Sequence, residues 1–227
     1  MGGRFLKLQN NMRSKVELSP FFAKHYETIL NIVSFGAYIP FTKNVIEKAP
    51  FEKGDSVLDL GSGSGHFACL IAQKANPRRY VGIDISKEML KIAKERCKNL
   101  KNIEFVPGKI QENLPFNSEF DKVFISFVLH GFVQEERLKI IRNAYKSLKP
   151  GGKFIILDYA EKNVDKSPLL VKFLIRKAEC PLAEKFMKRN LKEMLRREGF
   201  SKFEEIFFFK GYVRLEIATK GYYESSF

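Results

Sequence analysis

Two carboxylates bracket a run of small residues in the first half of the chain. Asp59 is followed by Leu60 and then by Gly61-Ser62-Gly63-Ser64-Gly65, and Asp84 stands 23 residues after Gly61. Glycines let a ligand approach the backbone amides closely, and an acid placed like Asp84 reaches the two hydroxyls of a ribose. The glycine run alone would also serve as a plain tight connection, and Asp84 alone could simply open the next helix beside Ser86. Together they point to a nucleoside-bearing ligand. Farther on, His130 in Phe127-Val128-Leu129-His130-Gly131-Phe132 carries a group whose ordinary titration range suits proton transfer near neutrality. It reads either as a general base or as a packing residue.

The spacing also bears on which nucleoside. Gly61, Gly63 and Gly65 fit G-x-G-x-G, whereas the dinucleotide fingerprint needs its third glycine where His66 stands. An acid just before the loop, Asp59, would oppose a pyrophosphate but complement a ligand bearing a sulfonium and an ammonium. S-adenosyl-L-methionine carries both.

The elements that must position these groups alternate. Ser56 to Leu60 is a short apolar strand entering the glycine run, and His66 to Ala75 is helical. Tyr80 to Asp84 is a second strand, and Ser86 caps a helix with Met89, Ala93 and Cys97 along one face. Strands follow at Asn102 to Val106, Asp121 to Phe127 and Lys153 to Asp158, with a helix from Glu135 to Leu148 ended by Lys149-Pro150-Gly151-Gly152. Such alternation predicts a parallel sheet covered on both faces. Two helices, about Leu169 to Cys180 and Leu182 to Glu198, then lead to strands at Phe203 to Phe209 and Tyr212 to Thr219 joined at Lys210-Gly211, one of which must run against the sheet. Upstream, helical spacing from Pro20 to Lys48, interrupted at Ser34-Phe35-Gly36, predicts two short helices after a basic arm.

The chain resembles the class I S-adenosylmethionine-dependent methyltransferases through Val57 to Gly65, Val81-Gly82-Ile83-Asp84-Ile85-Ser86 and Leu148-Lys149-Pro150-Gly151-Gly152-Lys153. The resemblance implies a Rossmann-like α/β fold: seven mostly parallel strands, the last antiparallel and inserted beside the sixth, with helices on both faces. It implies that Gly61, Ser62, Gly63 and Gly65 cradle the methionine part and that Asp59 holds its ammonium. Asp84 would take the ribose, Ile85 would pack on adenine, and Ser126 and Phe127 would lie under the sulfonium. Where the family usually has Gly-Asp after the third strand, this chain has Gly108-Lys109 followed by Ile110. Lys109 and Ile110 therefore stand at the adenine end, and the acceptor for the adenine amino group must be Gln111, Glu112 or a backbone carbonyl.

Within the class, Tyr26-Glu27, Ser34-Phe35-Gly36, Glu112-Asn113-Leu114-Pro115-Phe116 and Leu148 to Tyr159 resemble the ubiquinone/menaquinone biosynthesis C-methyltransferases. Leu30, Tyr38, Phe41 and Asp158 depart from that group's Asn, His, Trp and Glu. The implied acceptor is a small lipophilic molecule, a quinone precursor, contacted by Tyr26, Tyr38 and His130, with His130 as the catalytic base and no metal. A phospholipid head group, another small molecule, RNA or protein are alternative acceptors, and a binding module without catalysis is a further reading. No Asn/Asp-Pro-Pro-aromatic signature follows the fourth strand.

The 227 residues accommodate one domain, expected as residues 51–227 with a helical substrate cover at about 162–198, preceded by an arm and helical lid at residues 1–50. A hydrophobic share of 44% excludes disorder, and three scattered cysteines, Cys69, Cys97 and Cys180, suggest no disulfide framework and a reducing cytoplasm. No apolar run is long enough to span a bilayer, and the start is too poor in apolar residues for a signal peptide. The net charge of +14 calls for an anionic partner. Half of it lies between Lys162 and Arg197, where 11 Lys+Arg face 4 Asp+Glu beside the apolar Leu169 to Ile175. This favours an anionic membrane surface, a peripheral site on the inner face, over nucleic acid.

Overall fold

A computed structural model describes residues 36–169 and 181–221. The amino-terminal arm, Tyr26, His25, the first of the two upstream helices and most of the Leu169 to Cys180 segment lie outside the described residues. Seven strands form one sheet in the order β3-β2-β1-β4-β5-β7-β6. They are β1 (Ser56–Leu60), β2 (Arg79–Asp84), β3 (Ile103–Pro107), β4 (Phe120–Ser126), β5 (Leu148–Tyr159), β6 (Phe200–Phe208) and β7 (Val213–Lys220). β7 pairs antiparallel with both β5 and β6, while β1 to β5 pair in parallel. The hairpin at the end of the chain thus places the reversed strand inside the sheet, as the resemblance implied.

The helices are α1 (Tyr38–Lys48), α2 (His66–Ala75), α3 (Lys87–Arg96), α4 (Gln134–Ser147), α5 (Pro181–Met187) and α6 (Leu191–Arg197). Alternation along the buried strands divides the core between two faces. On one, Leu58, Leu60, Val123 and Ile156 pack with Ile140, Ala144, Phe186 and Leu195 from α4, α5 and α6. On the other, Val57, Phe124 and Leu157 pack with Val45, Ala68 and Ala93 from α1, α2 and α3.

Several strand and helix ends shift by one to three residues from those read in the sequence, and at three places the difference has a structural cause. The Lys149-Pro150-Gly151-Gly152 segment belongs to β5, because Leu148 already pairs with Phe120 across an irregularity in β4, and Gly151 takes φ 74° to continue the strand. The expected helix over Leu182 to Glu198 is two, broken before Asn190, whose side chain accepts from the Glu193 amide at 2.8 Å and starts α6. At Lys210-Gly211 the connection is wider than a two-residue turn: Phe209, Lys210 and Gly211 all have positive φ.

Candidate active site

The glycine loop leaves β1 at the carboxyl edge of the sheet, the place where open α/β sheets bind ligands. Gly61 has φ +84°, and a Cβ there would come within 2.7 Å of Val128 Cγ2 in the loop after β4. Gly82 is bare so that Ser62 can lie across it, 2.8 Å from the position a Cβ would occupy. A Cβ on Gly63 would meet nothing within 4 Å, so this part of the loop borders open space. Contrary to expectation, the first amides of the loop turn inward. Gly61 and Ser62 both donate to the Ile83 carbonyl at 2.8 and 2.9 Å, and Gly63 donates to Asp84 Oδ2 at 2.8 Å. Joining β1 to β2 satisfies these donors within the protein.

Asp84 ends β2 with each carboxylate oxygen on a backbone amide, Oδ2 on Gly63 and Oδ1 on Ser86 at 2.8 Å. A carboxylate has room for four donors, so both oxygens retain capacity for ribose hydroxyls. Burial raises its pKa against those hydrogen bonds. Asp59 is more deeply enclosed, 1% exposed, and accepts a short hydrogen bond from the Tyr80 hydroxyl. Burial pushes its carboxyl up to about 7, opposed by that hydrogen bond. Its Oδ1 has no hydrogen-bond partner, and neither does the buried Ser62 Oγ.

Ile85 is exposed beside Asp84. Lys109 pairs with Glu112, one of the acceptors expected for the adenine amino group, at 2.8 Å. Ile110 differs from the reading that placed it against the ligand: it is buried in the core with Leu114, its carbonyl accepting from Asn143 Nδ2 at 2.8 Å. Ser126 closes β4, and Phe127, at φ 51°, turns away from the strand with its amide on the Leu157 carbonyl. Tyr38 lies against His66 with ring centroids 5.5 Å apart, at the glycine-loop end of α2. His66 in turn reaches Thr42 Oγ1 of α1 at 2.9 Å.

His130 sits in a single turn of 3-10 helix, Leu129–Gly131, just past β4, and is buried. Asp158, the penultimate residue of β5 and its one acid, holds it twice: Oδ1 lies 2.8 Å from His130 Nδ1 and Oδ2 accepts from the His130 amide at 3.1 Å. With a carboxylate on Nδ1, the proton resides there and the basic lone pair is directed to Nε2. Around the imidazole runs a wall of rings. Tyr159 is 4.9 Å from His130 and 6.0 Å from Phe127, Phe127 is 6.4 Å from Phe41, and Phe41 is 5.3 Å from Phe208 and 4.8 Å from Phe209.

Several of these partners escaped the sequence reading. Asp158 was noted only as a replacement for Glu; its position at the end of the strand beside β4 was the signal that it would meet His130. Arg137, 2% exposed, donates to the carbonyls of Leu129, His130 and Leu182 and stacks on Phe186, tying the histidine turn to α5. Nothing in its spacing marked an arginine facing inward from α4. Phe41, Phe208 and Phe209 come from α1, the end of β6 and the β6–β7 connection, and only the fold brings them together.

The cradle fits an S-adenosylmethionine. The unpaired Asp59 oxygen, the open space at Gly63, the remaining capacity of Asp84 and the exposed Ile85 would offer, respectively, an anion for its ammonium, room for the amino acid, a ribose acceptor and an apolar face for the base. A family model described as a methyltransferase domain matches residues 51–199, and the chain belongs to the class I S-adenosylmethionine-dependent methyltransferases. Within that class it is similar to the ubiquinone/menaquinone biosynthesis C-methyltransferase of Francisella tularensis subsp. novicida, at 32% identity over 221 residues covering 87% of each chain. It is also 31% identical over 143 residues to the demethylmenaquinone methyltransferase of Listeria welshimeri, a match covering 61% of this chain and only 59% of that protein's length. Among solved structures, an S-adenosylmethionine-dependent methyltransferase of Aquifex aeolicus shares the fold at TM-score 0.65 and 20% identity, over 89% of this chain and 99% of that one. Phosphoethanolamine N-methyltransferase 2 of Haemonchus contortus, solved with S-adenosyl-L-methionine, does so at TM-score 0.70 and 19% identity, over 92% of this chain and 60% of that one.

Proposed function

We propose that this chain methylates a ring carbon of a small lipophilic hydroxyaromatic acceptor, a quinone precursor in its reduced form, using S-adenosylmethionine. The observation that carries this reading is the His130–Asp158 pair set among Tyr159, Phe127 and Phe41. The cofactor, when bound, supplies a methyl group activated on a sulfonium. The chain's own residues then have three tasks.

The aromatic wall receives a flat ring face-on or edge-on and keeps water out, which places the acceptor carbon for an in-line displacement. His130 Nε2 takes the proton from the acceptor's hydroxyl, raising electron density at the ring carbon beside it. Asp158 holds the imidazole in the competent tautomer and stabilises its charged form once the proton has moved. Asp59, Asp84 and Glu112 would hold the cofactor. The Francisella and Listeria relatives, whose names specify quinone methylation, support the acceptor class.

Transfer of labelled methyl from S-adenosylmethionine into a quinone-containing lipid extract, with total RNA as a parallel acceptor, tests the reading. Label in a reduced quinone precursor is expected. Label confined to RNA, to protein or to a phospholipid head group would overturn it, and failure to bind either S-adenosylmethionine or S-adenosylhomocysteine would favour a binding module.

A further inference from the structure

Two cysteines separated by 28 residues meet behind the glycine loop: Cys69 Sγ on α2 lies 3.0 Å from Cys97 Sγ, the residue that ends α3. Both are thiols. Cys69 is half-buried, so its sulfur is within reach of a small reagent, whereas Cys97 is buried at 4% exposure. The helices that carry them approach closely because Gly65 has no side chain; a Cβ there would lie 3.0 Å from Ala93 Cβ. Both cysteines also touch the same atom of the loop. The Cys69 amide donates to the Gly65 carbonyl at 3.1 Å, and Cys97 Sγ lies 3.8 Å from it.

We propose that Cys69 and Cys97 are a redox-active dithiol that closes to an intramolecular disulfide when the chain meets a low-molecular-weight disulfide, stapling α2 to the end of α3 against the carbonyl of Gly65. An S–S bond of about 2.05 Å requires the sulfurs to approach by about 1 Å. That movement falls on Cys97, whose backbone at φ −99° and ψ 11° has already left the helix. Cys69, as thiolate, attacks the small disulfide, forming a mixed disulfide and expelling one small thiolate. Cys97 then loses its proton, attacks Cys69 Sγ and expels the second. Two protein thiols are oxidised and one small disulfide is reduced to two thiols. The contact with Cys69 and burial hold the proton on Cys97, which sets this order of attack. The bond encloses β2 and Asp84 in one covalent ring with most of α2 and all of α3.

The test is intact-mass and peptide mapping of the full chain after exposure to oxidised glutathione, and it needs no methyl transfer, so its outcome is independent of the proposed acceptor. Expected are the loss of two hydrogens without a retained glutathione, a single Cys69–Cys97 crosslinked peptide, reversal by dithiothreitol, and a higher Tm for the oxidised form. The Cys180→Ser variant should behave identically. In Cys97→Ser, glutathione should remain attached to Cys69. A stable glutathione adduct on Cys69 in the wild type, a crosslink to Cys180, or unchanged thiols after oxidation would each overturn the proposal, and the wild-type map decides should Cys97→Ser not fold.

Discussion

His130 and Asp158 carry their relationship in two contacts, one to the ring and one to the backbone, and these separate orientation from chemistry. His130→Ala is expected to lower kcat by about 10²–10⁴-fold, the usual worth of a placed base, with S-adenosylhomocysteine affinity unchanged by calorimetry. Asp158→Asn should lower kcat in the same direction, since an amide can present its NH₂ to Nδ1 and select the wrong tautomer. Equal turnover in wild type and His130→Ala would remove His130 from the reaction. Asp59 makes a different prediction. Its carboxyl is held at about 7 by burial, and a cationic ligand beside it requires the ionised form. Affinity for S-adenosylhomocysteine is therefore expected to be greatest above pH 7 and to weaken below it, by up to about tenfold per pH unit, as the proton must be displaced. Asp59→Asn should bind more weakly and lose this dependence.

At the scale of the element, the sequence announced strands and glycine turns well because each carries a local signature: apolar runs of five or six residues, Gly61 to Gly65, Ser86 before α3. It did not announce what depends on pairing across distance. β7 illustrates this. Arg214 and Glu216 look like solvent-facing positions in an alternating strand, yet β7 is central, and both are buried, at 2% and 0% exposed. Arg214 is paired with Glu161 at 2.7 Å and faces Glu205 at 3.4 Å, while the oxygens of Glu216 make no hydrogen bond and lie no closer than 3.7 Å to Arg214 Nε. Burial raises Glu216 from 4.5 to about 8 against the pull of Arg214. The native state thus holds this proton more tightly than the unfolded chain does. Its contribution is greatest below pH 4.5 and falls as pH rises towards 8. Comparing Tm across pH 5 to 8, Glu216→Gln should show a smaller decline than wild type. The split of the expected long helix before α6 has its own test: Asn190→Ala removes the cap on Glu193 and should cost about 1 kcal/mol in chemical denaturation.

For the molecule as a whole, fold class was legible because three motifs occur in order on alternating elements, and the cofactor half of the site was legible with them. The proposed acceptor half was not, since it would draw on α1, the ends of β4 and β5, and the β6–β7 hairpin, which lie far apart in sequence. The charge of +14 belongs to this scale too. Among the described residues no helix is long and apolar enough to cross a membrane. If that charge serves an anionic membrane, flotation with phosphatidylglycerol vesicles should retain the protein at low salt and lose it as ionic strength rises. Absence of binding at low salt would dismiss the idea. α1 is fastened to α2 through Thr42 and His66, and again where Lys74 donates to the carbonyls of Ile46, Glu47 and Ala49. Phe41 is therefore a fixed wall, and Phe208, the last residue of β6, is held by its pairing with Val213, whereas Phe209 hangs from a connection with left-handed backbone at Phe209 and Lys210. Mutations that broaden or retune the choice of acceptor should accumulate on that far bank, where the chain can diversify while the cofactor machinery is left undisturbed.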